Sequence, residues 1–307
     1  MCKNSNNLFL IKGYLPTLSL HFFLITIICL QSYTSLNAQI HGWYNSKQIG
    51  IKTWVINEPG IDDNMYLLEG RDSALLIDAG FGLGNLRDFI KSLTSKPLII
   101  VNTHFHPDHT GGNYQFPKVH IGAKDMELAK TFLDPKITRQ IAGMVLKDIQ
   151  IADSLKFPDS LKLNTTILVP INDNYLFNLG GRDVKVVSIP GHSPGSICML
   201  DVNNNFLFTG DNNNVTWLFF KESLPVDIYL TSLQKLSKLK TKFNILYSGH
   251  GASSGVEILD ELIACCEEIL SGKCEPKPYH SFIGIDGVSC TYKTVTIAYD
   301  PNKIKTQ

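Results

Sequence analysis

The sequence has no excess of charge of either sign. It carries 28 Lys and Arg against 28 Asp and Glu, so its formal net charge is zero. A basic surface for nucleic acid is therefore not expected. With 44% hydrophobic and 18% charged residues, the chain is also too apolar for a disordered protein. It should fold around a buried core.

The sequence also lacks an apolar run long enough to span a bilayer. The best candidate, residues 18–30, has 13 residues, whereas a transmembrane helix needs about 20. Lys3 and Lys12 precede this run, and the small residue Ala38 ends the polar segment after it. This order is typical of a secretory signal peptide over residues 1–38, with an uncleaved anchor as the alternative. We therefore expect an exported protein, periplasmic or secreted, without stable membrane insertion after cleavage.

Cysteine pairs with the spacing of a thiolate zinc site are missing as well. Cleavage after Ala38 would leave an odd number of cysteines: Cys198, Cys265, Cys266, Cys274 and Cys290. Cys274 and Cys290 could form a disulfide in an oxidising compartment, but buried free thiols explain them equally well. The spacing alone leaves both alternatives open.

Short apolar runs alternate with helical patterns in the first half of the chain. Apolar segments predict strands at residues 51–56, 65–70, 73–80 and 97–102. Apolar residues three and four apart predict a helix at 83–93. Residues 122–155 are expected to be mostly helical, with Pro135 starting the second helix of a pair.

The second half repeats this alternation. Strands are predicted at residues 175–179, 183–189, 196–201, 205–210, 244–249 and 294–300. Helices are predicted at 226–239 and at 256–270, the latter ended by Gly272. No linker, low-complexity tract or charge run separates the halves. This organisation indicates a single α/β domain over residues 39–307, with two packed sheets and helices outside them.

Three histidines and an aspartate are concentrated in residues 103–109, Thr-His-Phe-His-Pro-Asp-His. Such an H-x-H-x-D-H string is rare by chance, so a motif is indicated. It follows the predicted strand at 97–102 and precedes Gly111 and Gly112, as expected of a ligand loop at a sheet edge. Neutral imidazoles and carboxylates are zinc ligands, and the segment therefore predicts a metal site.

Three further ligand candidates lie at the ends of predicted strands. They are His192 in Pro-Gly-His-Ser-Pro-Gly-Ser, Asp211 in Phe-Thr-Gly-Asp and His250 in Ser-Gly-His-Gly. The adjacent glycines permit sharp turns and a close approach of the backbone. Each residue alone is more typical of an ordinary loop or turn. Together with the histidine cluster, they favour one common site.

These motifs, with Asp78 in Leu-Ile-Asp-Ala-Gly before them, resemble the metallo-β-lactamase superfamily in type and order. The resemblance implies a four-layer αββα sandwich with the site at one edge between the sheets. It divides the ligands between two metal ions: His104, His106 and His192 for one, Asp108, His109 and His250 for the other. Asp211 would bridge the two ions. Asp78 would not touch a metal but would orient one of its ligands.

The resemblance also implies a hydrolase with two Zn2+ ions per chain, although iron or manganese would fit the same residues. Two ions about 3.5 to 4 Å apart can hold a hydroxide at neutral pH and polarise a carbonyl oxygen. Asp108 would be catalytic by orienting this nucleophile. In having an aspartate at position 211, the chain resembles the glyoxalase II, lactonase and thioesterase branches. The expected partner is therefore a small-molecule substrate: an ester, thioester, lactone or lactam. Three alternatives stay open: a mononuclear-iron sulfur dioxygenase, a β-lactamase proper, and an inactive metal-binding relative.

The segment after Asp211 is rich in aromatic residues. Trp217 and Phe219 either line a substrate pocket or pack in the core. His280, in Pro-Tyr-His, likewise lines the pocket or lies on the surface. The sequence indicates no particular oligomeric state.

Overall fold

A computed structural model describes residues 43–58, 62–145 and 166–306. The predicted signal peptide at residues 1–38 lies outside these ranges, and so do residues 146–155 of the predicted helical stretch. Within the described ranges, no helix is both long enough and apolar enough to cross a bilayer.

The described strands form three sheets. The first sheet keeps the order of the chain: β1 (Asn45–Gly50), β2 (Thr53–Glu58), β3 (Asp63–Glu69), β4 (Ala74–Ile77), β5 (Leu98–Asn102), β6 (Lys118–Gly122) and β7 (Ile167–Ile171). The second sheet contains β8 (Leu176–Asn178), β9 (Asp183–Ser188), β10 (Ile197–Asp201), β11 (Phe206–Gly210), β13 (Ile245–Ser248) and β14 (Ser254–Gly255). The third and smallest contains β12 (Val215–Leu218), β15 (Lys277–His280), β16 (Asp286–Tyr292) and β17 (Val295–Tyr299).

Helices connect these strands. The α-helices are α1 (Leu86–Leu93), α2 (Pro107–Thr110), α3 (Met126–Ala129), α4 (Pro135–Val145), α5 (Val226–Ser237) and α6 (Ile258–Ser271). Asn85 starts α1, because its side chain accepts a hydrogen bond from the Asp88 amide, and Gly272 ends α6 with a left-handed φ of 71°. The predictions that Pro135 starts a helix and that Gly272 ends one are confirmed.

The central strands of both large sheets are buried on their two faces. In β4, Leu75 and Ile77 pack against the second sheet, whereas Ala74 and Leu76 pack on the side of α1. In the second sheet, the odd-numbered residues of β10 face the first sheet and the even-numbered ones face α5 and α6. Because successive side chains of a strand point to opposite faces, each sheet joins two core layers. The predicted four-layer αββα sandwich is confirmed.

The prediction for the middle of the chain was incomplete. Within the described part of residues 122–155, the first helix begins only at Met126. Strand β6 ends at Gly122, where the helical stretch was expected to begin. Strands β1, β7, β12, β14 and β15 were not predicted. The structure also joins Cys274 to Cys290, which links the end of α6 to the third sheet.

Candidate metal centre

The predicted ligands follow strands that end at the same edge of the sandwich. In the first sheet β4 and β5 are parallel, and Asp78 and residues 104–109 follow their carboxyl ends. In the second sheet β11 and β13 are parallel, and β9 runs the same way because both β9 and β11 pair antiparallel with β10. His192, Asp211 and His250 follow these three strands. The fold thereby brings residues far apart in sequence to one edge.

Four predicted ligands form a first cluster, which we call the inner group: His104, His106, His192 and Asp211. One donor atom of each lies within 4.8 Å of all the others. Nδ1 of His106 is 3.1 Å from Nε2 of His104 and 2.9 Å from Nε2 of His192. Oδ2 of Asp211 is 3.4 Å from Nε2 of His192. Ring nitrogens that face one another this closely need a proton or a cation between them.

A second cluster, which we call the outer group, contains Asp108, His109, His250 and again Asp211. Nε2 of His109 is 3.1 Å from Oδ1 of Asp211, and Nε2 of His250 is 3.4 Å from the same oxygen. Oδ2 of Asp108 is 3.6 Å from Nε2 of His109 and 3.3 Å from Nε2 of His250. Asp211 therefore turns one carboxylate oxygen to each group.

The protonation states of the inner histidines and of Asp108 suit divalent cations. Burial lowers the pKa of each inner imidazole, that of His106 to about 3, so their nitrogen lone pairs are free. Burial raises the pKa of Asp108, but His109 and His250 outweigh it and bring the value to about 2. Nε2 of His109 and Oδ1 of Asp211 are buried and lack an aligned hydrogen-bond partner among the described residues. The donor set fits Zn2+, and iron or manganese as well.

Asp78 holds one imidazole of each group in place. Its Oδ2 is 3.0 Å from Nδ1 of His109, the ring nitrogen opposite Nε2, which faces Asp211. The same carboxylate accepts hydrogen bonds from the amide and the hydroxyl of Thr103, and that hydroxyl is 3.0 Å from Nδ1 of His104. Asp78 has a φ of 62°, a left-handed conformation that aspartate tolerates better than most residues. The structure thus places Asp78 directly behind His109 and, through Thr103, behind His104.

Asp63 makes the corresponding contact with His250, and this residue was not predicted from the sequence. Its Oδ1 is 2.9 Å from Nδ1 of His250, and its side chain is buried. The neighbouring Asn64 amide donates to the carbonyl of Gly249, which ties the start of β3 to the loop that carries His250. Carboxylates in this position fix the tautomer and the orientation of a metal-binding imidazole.

Asp125 joins the two loops that supply the inner histidines, and it was also missed. Its carboxylate accepts hydrogen bonds from the Phe105 amide, the Gly195 amide and the Ser193 hydroxyl at 3.1, 2.6 and 2.5 Å. Residues 191–195 spell Gly-x-Ser-x-Gly, a pattern of serine hydrolases. The Ser193 hydroxyl, however, is buried and engaged by Asp125, so it positions the His192 loop instead of acting as a nucleophile.

Gly249 allows the second sheet to approach the centre. A Cβ atom at this position would lie 2.6 Å from Cε1 of His109 and 2.8 Å from Oδ1 of Asp211. Both distances are far below van der Waals contact, so any other residue would push the outer group apart.

The predicted pocket residues differ in position. Trp217 is half-buried, and its carbonyl oxygen is 2.7 Å from Nδ1 of His192. Phe219 is buried beneath Trp217, while the ring of the neighbouring Phe220 lies 4.7 Å from that of His106. His280 lies exposed on the surface, with Nδ1 2.9 Å from Oδ1 of Asp286.

Known proteins resemble this chain in sequence. The acyl-coenzyme A thioesterase MBLAC2 of Homo sapiens is 28% identical over 243 residues, covering 72% of this chain and 85% of that protein. The lactamase-like protein nscB of Aspergillus fumigatus is 28% identical over 214 residues, which cover 68% of this chain. The chain spans only 52% of nscB.

Solved structures and a family profile agree with these similarities. A metallo-beta-lactamase from Pontibacter korlensis has a TM-score of 0.51 at 18% identity, with 72% of this chain and 97% of that chain covered. At this identity the likeness concerns the fold alone. The profile of the metallo-beta-lactamase superfamily matches residues 60–250, which is more than half of the chain. The chain therefore belongs to the metallo-beta-lactamase superfamily and is a hydrolase of that superfamily.

Proposed function

We propose that the protein is a metal-dependent hydrolase of acyl thioesters, with Zn2+ ions at both the inner and the outer group. The observation that carries this proposal is the position of Asp211, whose Oδ2 faces the inner group and whose Oδ1 faces the outer group. A carboxylate shared in this way suits a pair of closely spaced ions. Similarity to an acyl-coenzyme A thioesterase supports the thioester as substrate.

When bound, two divalent ions lower the pKa of a water molecule and polarise the carbonyl oxygen of the substrate. The protein supplies the other elements of the reaction. Asp108 is ionised at neutral pH and accepts a hydrogen bond from the attacking water, which orients the water towards the carbonyl carbon. Asp78 and Asp63 keep His109 and His250 in fixed orientations. Water adds to the carbonyl carbon and the carbon–sulfur bond breaks, which yields a carboxylic acid and a thiol.

A substrate panel tests this proposal. The purified, metal-loaded protein would be assayed with an acyl-coenzyme A, an aliphatic lactone, a β-lactam and a phosphoester, and its metal content would be measured. We expect kcat/KM for the thioester to exceed the other values by at least about 100-fold. We also expect two zinc ions per chain. Preference for the lactone or the β-lactam would contradict the substrate class, and a single iron per chain would favour the sulfur dioxygenase alternative.

We further propose that residues 1–38 direct export and are removed after Ala38. The disulfide between Cys274 and Cys290 supports an oxidising compartment, because structural disulfides are rare in the cytosol. N-terminal sequencing of the protein recovered from the periplasm or medium should begin at Gln39. Recovery of chains beginning at Met1 in the membrane fraction would show a retained anchor instead.

A further inference from the structure

A continuous row of aromatic rings leads from the inner group to the protein surface. The ring of Phe220 is 4.7 Å from that of His106 and 5.6 Å from that of His192. Trp217 follows at 5.9 Å from Phe220, and Phe282 at 5.5 Å from Trp217. Phe282 is 73% exposed, so the row begins at a ligand pair and ends in solvent.

The middle of this row is held in place by the protein. Nε1 of Trp217 donates a hydrogen bond of 2.9 Å to the hydroxyl of Tyr279, which fixes the plane of the indole. Phe219 supports it from below, with ring centroids 5.1 Å apart, and also contacts Tyr279 at 5.8 Å. Trp217 is nevertheless only half-buried. Its ring therefore presents a preformed apolar surface, which is the kind of wall that lines ligand sites.

The outer end of the row is an apolar hairpin tip between β15 and β16. Ser281 closes the tip by accepting a hydrogen bond from the Ile285 amide and donating one to the Ile285 carbonyl. Beyond Phe282, the tip exposes Ile283 and Ile285, each at 37%, and residues 281–285 contain no charged side chain. Exposed apolar patches are found at binding sites more often than on the rest of a protein surface.

We propose that this surface, made of Phe220, Trp217 and Phe282, binds the acyl chain of the substrate and sets the preferred chain length. The inference rests on the proposed thioester hydrolysis, because the substrate carbonyl must lie at the metal ligands. The first methylenes of the acyl chain then meet Phe220, and each further methylene can cover more of Trp217 and Phe282. Burial of hydrocarbon on these rings removes apolar area from water on both partners.

The test is the chain-length dependence of kcat/KM. Acetyl-, butanoyl-, hexanoyl-, octanoyl- and dodecanoyl-coenzyme A would be compared below their micelle concentrations. We expect kcat/KM to rise by up to about fourfold for each buried methylene. Phe282→Ala should lower the ratio of the dodecanoyl to the acetyl value by about tenfold. Ile51→Ala is the matched control, because Ile51 is 79% exposed in the turn between β1 and β2 and should leave the ratio unchanged.

A binding measurement keeps this inference distinct from the proposed hydrolysis. The dissociation constant of dodecyl-coenzyme A, a thioether that cannot be hydrolysed, would be measured by calorimetry for the metal-loaded protein and for Phe282→Ala. We expect about tenfold weaker binding in the variant. Equal constants, or equal kcat/KM for all chain lengths, would overturn the inference, whereas absence of thioester hydrolysis at every length would contradict the proposed function alone.

A lipid surface is the competing occupant of the same tip. Binding to neutral phosphatidylcholine vesicles would be measured by co-sedimentation for the same two proteins. Should Phe282→Ala abolish vesicle binding while the chain-length ratio stays at its original value, the tip contacts lipid and the inference is wrong. Retention of the original vesicle binding, together with the reduced ratio, supports the acyl-chain surface.

Discussion

The inner and outer groups share Asp211 but differ in their exposure to solvent. The side chain of His104 in the inner group is 1% exposed, and that of His192 is equally buried. In the outer group, the side chain of His250 is 29% exposed and that of Asp108 22%. An ion in the outer group would therefore meet solvent more readily, and we expect it to exchange faster.

The two groups also differ in charge. The inner group combines three neutral imidazoles with one carboxylate, whereas the outer group has Asp108 in addition to Asp211. Burial therefore distinguishes the inner position, and negative charge distinguishes the outer one. Removal of the Asp108 charge should therefore act mainly on the outer position.

The largest effect is expected at the inner group. His106→Ala should lower kcat for a thioester by at least about 1000-fold, because it removes the nitrogen that faces both His104 and His192. Chelation of the unchanged protein should cause a similar loss of activity. Added zinc should restore the activity of the chelated protein but not that of His106→Ala. Kinetics and zinc content would be measured together. Full activity in protein shown to be free of metal would contradict the role of both groups.

A smaller loss is expected from Asp108→Asn, which changes only the outer group. Removal of this charge should lower kcat by about 100-fold and leave one zinc per chain, since the inner ligands are intact. Asp72→Asn is the control, because Asp72 is exposed and forms an ion pair with Arg71 at the surface. Equal losses in the two variants would mean that folding, and not the site, is damaged.

Asp63→Asn should act on the outer ion without touching a ligand atom. The variant keeps the shape of the side chain but weakens its interaction with Nδ1 of His250, so outer zinc binding should weaken by about 10- to 100-fold. Inner zinc binding should remain unchanged in competition with a chelator of known affinity. The adjacent Asp62→Asn, at an exposed position, is the matched control.

Asp125→Asn should show the opposite selectivity. Its carboxylate joins the Phe105 amide to the His192 loop, so its replacement should loosen the inner group and weaken inner zinc binding by about tenfold. The same chelator competition distinguishes the two positions. If the variant weakens the outer ion as strongly as the inner one, Asp125 stabilises the fold in general and does not position the inner ligands.

Glu58 lies outside both groups and provides a reference, because its replacement should have the smallest effect on zinc binding. It accepts hydrogen bonds from the Trp43 indole and from the Phe81 and Leu83 amides, yet burial raises its pKa from 4.5 to about 7. The folded state therefore holds this proton more tightly than the unfolded state does. The stabilisation is complete below about pH 4.5 and is lost as the pH rises through about 7, by at most about 3 kcal/mol.

Urea denaturation at several pH values measures this contribution. The free energy of unfolding should decline with pH less steeply in Glu58→Gln than in the unchanged protein, while zinc binding at both groups stays the same. Parallel declines in the two proteins would show that Glu58 does not titrate in this range.

The two groups of candidate ligands could be predicted from the sequence because their residues stand in local patterns at strand ends. Residues 103–109 contain their ligands within one segment, and His192, Asp211 and His250 each stand beside a glycine after an apolar run. Their meeting at one edge follows from the parallel direction of the preceding strands. The supporting carboxylates gave no such signal. Asp63 meets a histidine 187 positions away, and nothing in its own surroundings indicates that contact.

The missed strands have a different cause. Both β7 and β15 contain a proline, Pro170 and Pro278, and a proline within an apolar run argues against a central strand. Both strands lie at the edge of their sheets, where the missing amide donor is tolerated. Edge placement depends on the finished sheet order, which no local pattern reveals. In contrast, β4 and β5 are buried on both faces, and their continuous apolar residues identified them directly.

Trp217 takes part in the centre through two chemically separate parts of one residue. Its main-chain carbonyl accepts from His192, and its side chain forms the aromatic wall. Every amino acid carries the same carbonyl, so mutation of the indole changes the wall without removing the hydrogen bond that orients His192. The indole can therefore be exchanged to alter substrate preference while His192 keeps its orientation. The backbone of Trp217, and not its indole, makes the contact that orients the candidate ligand His192.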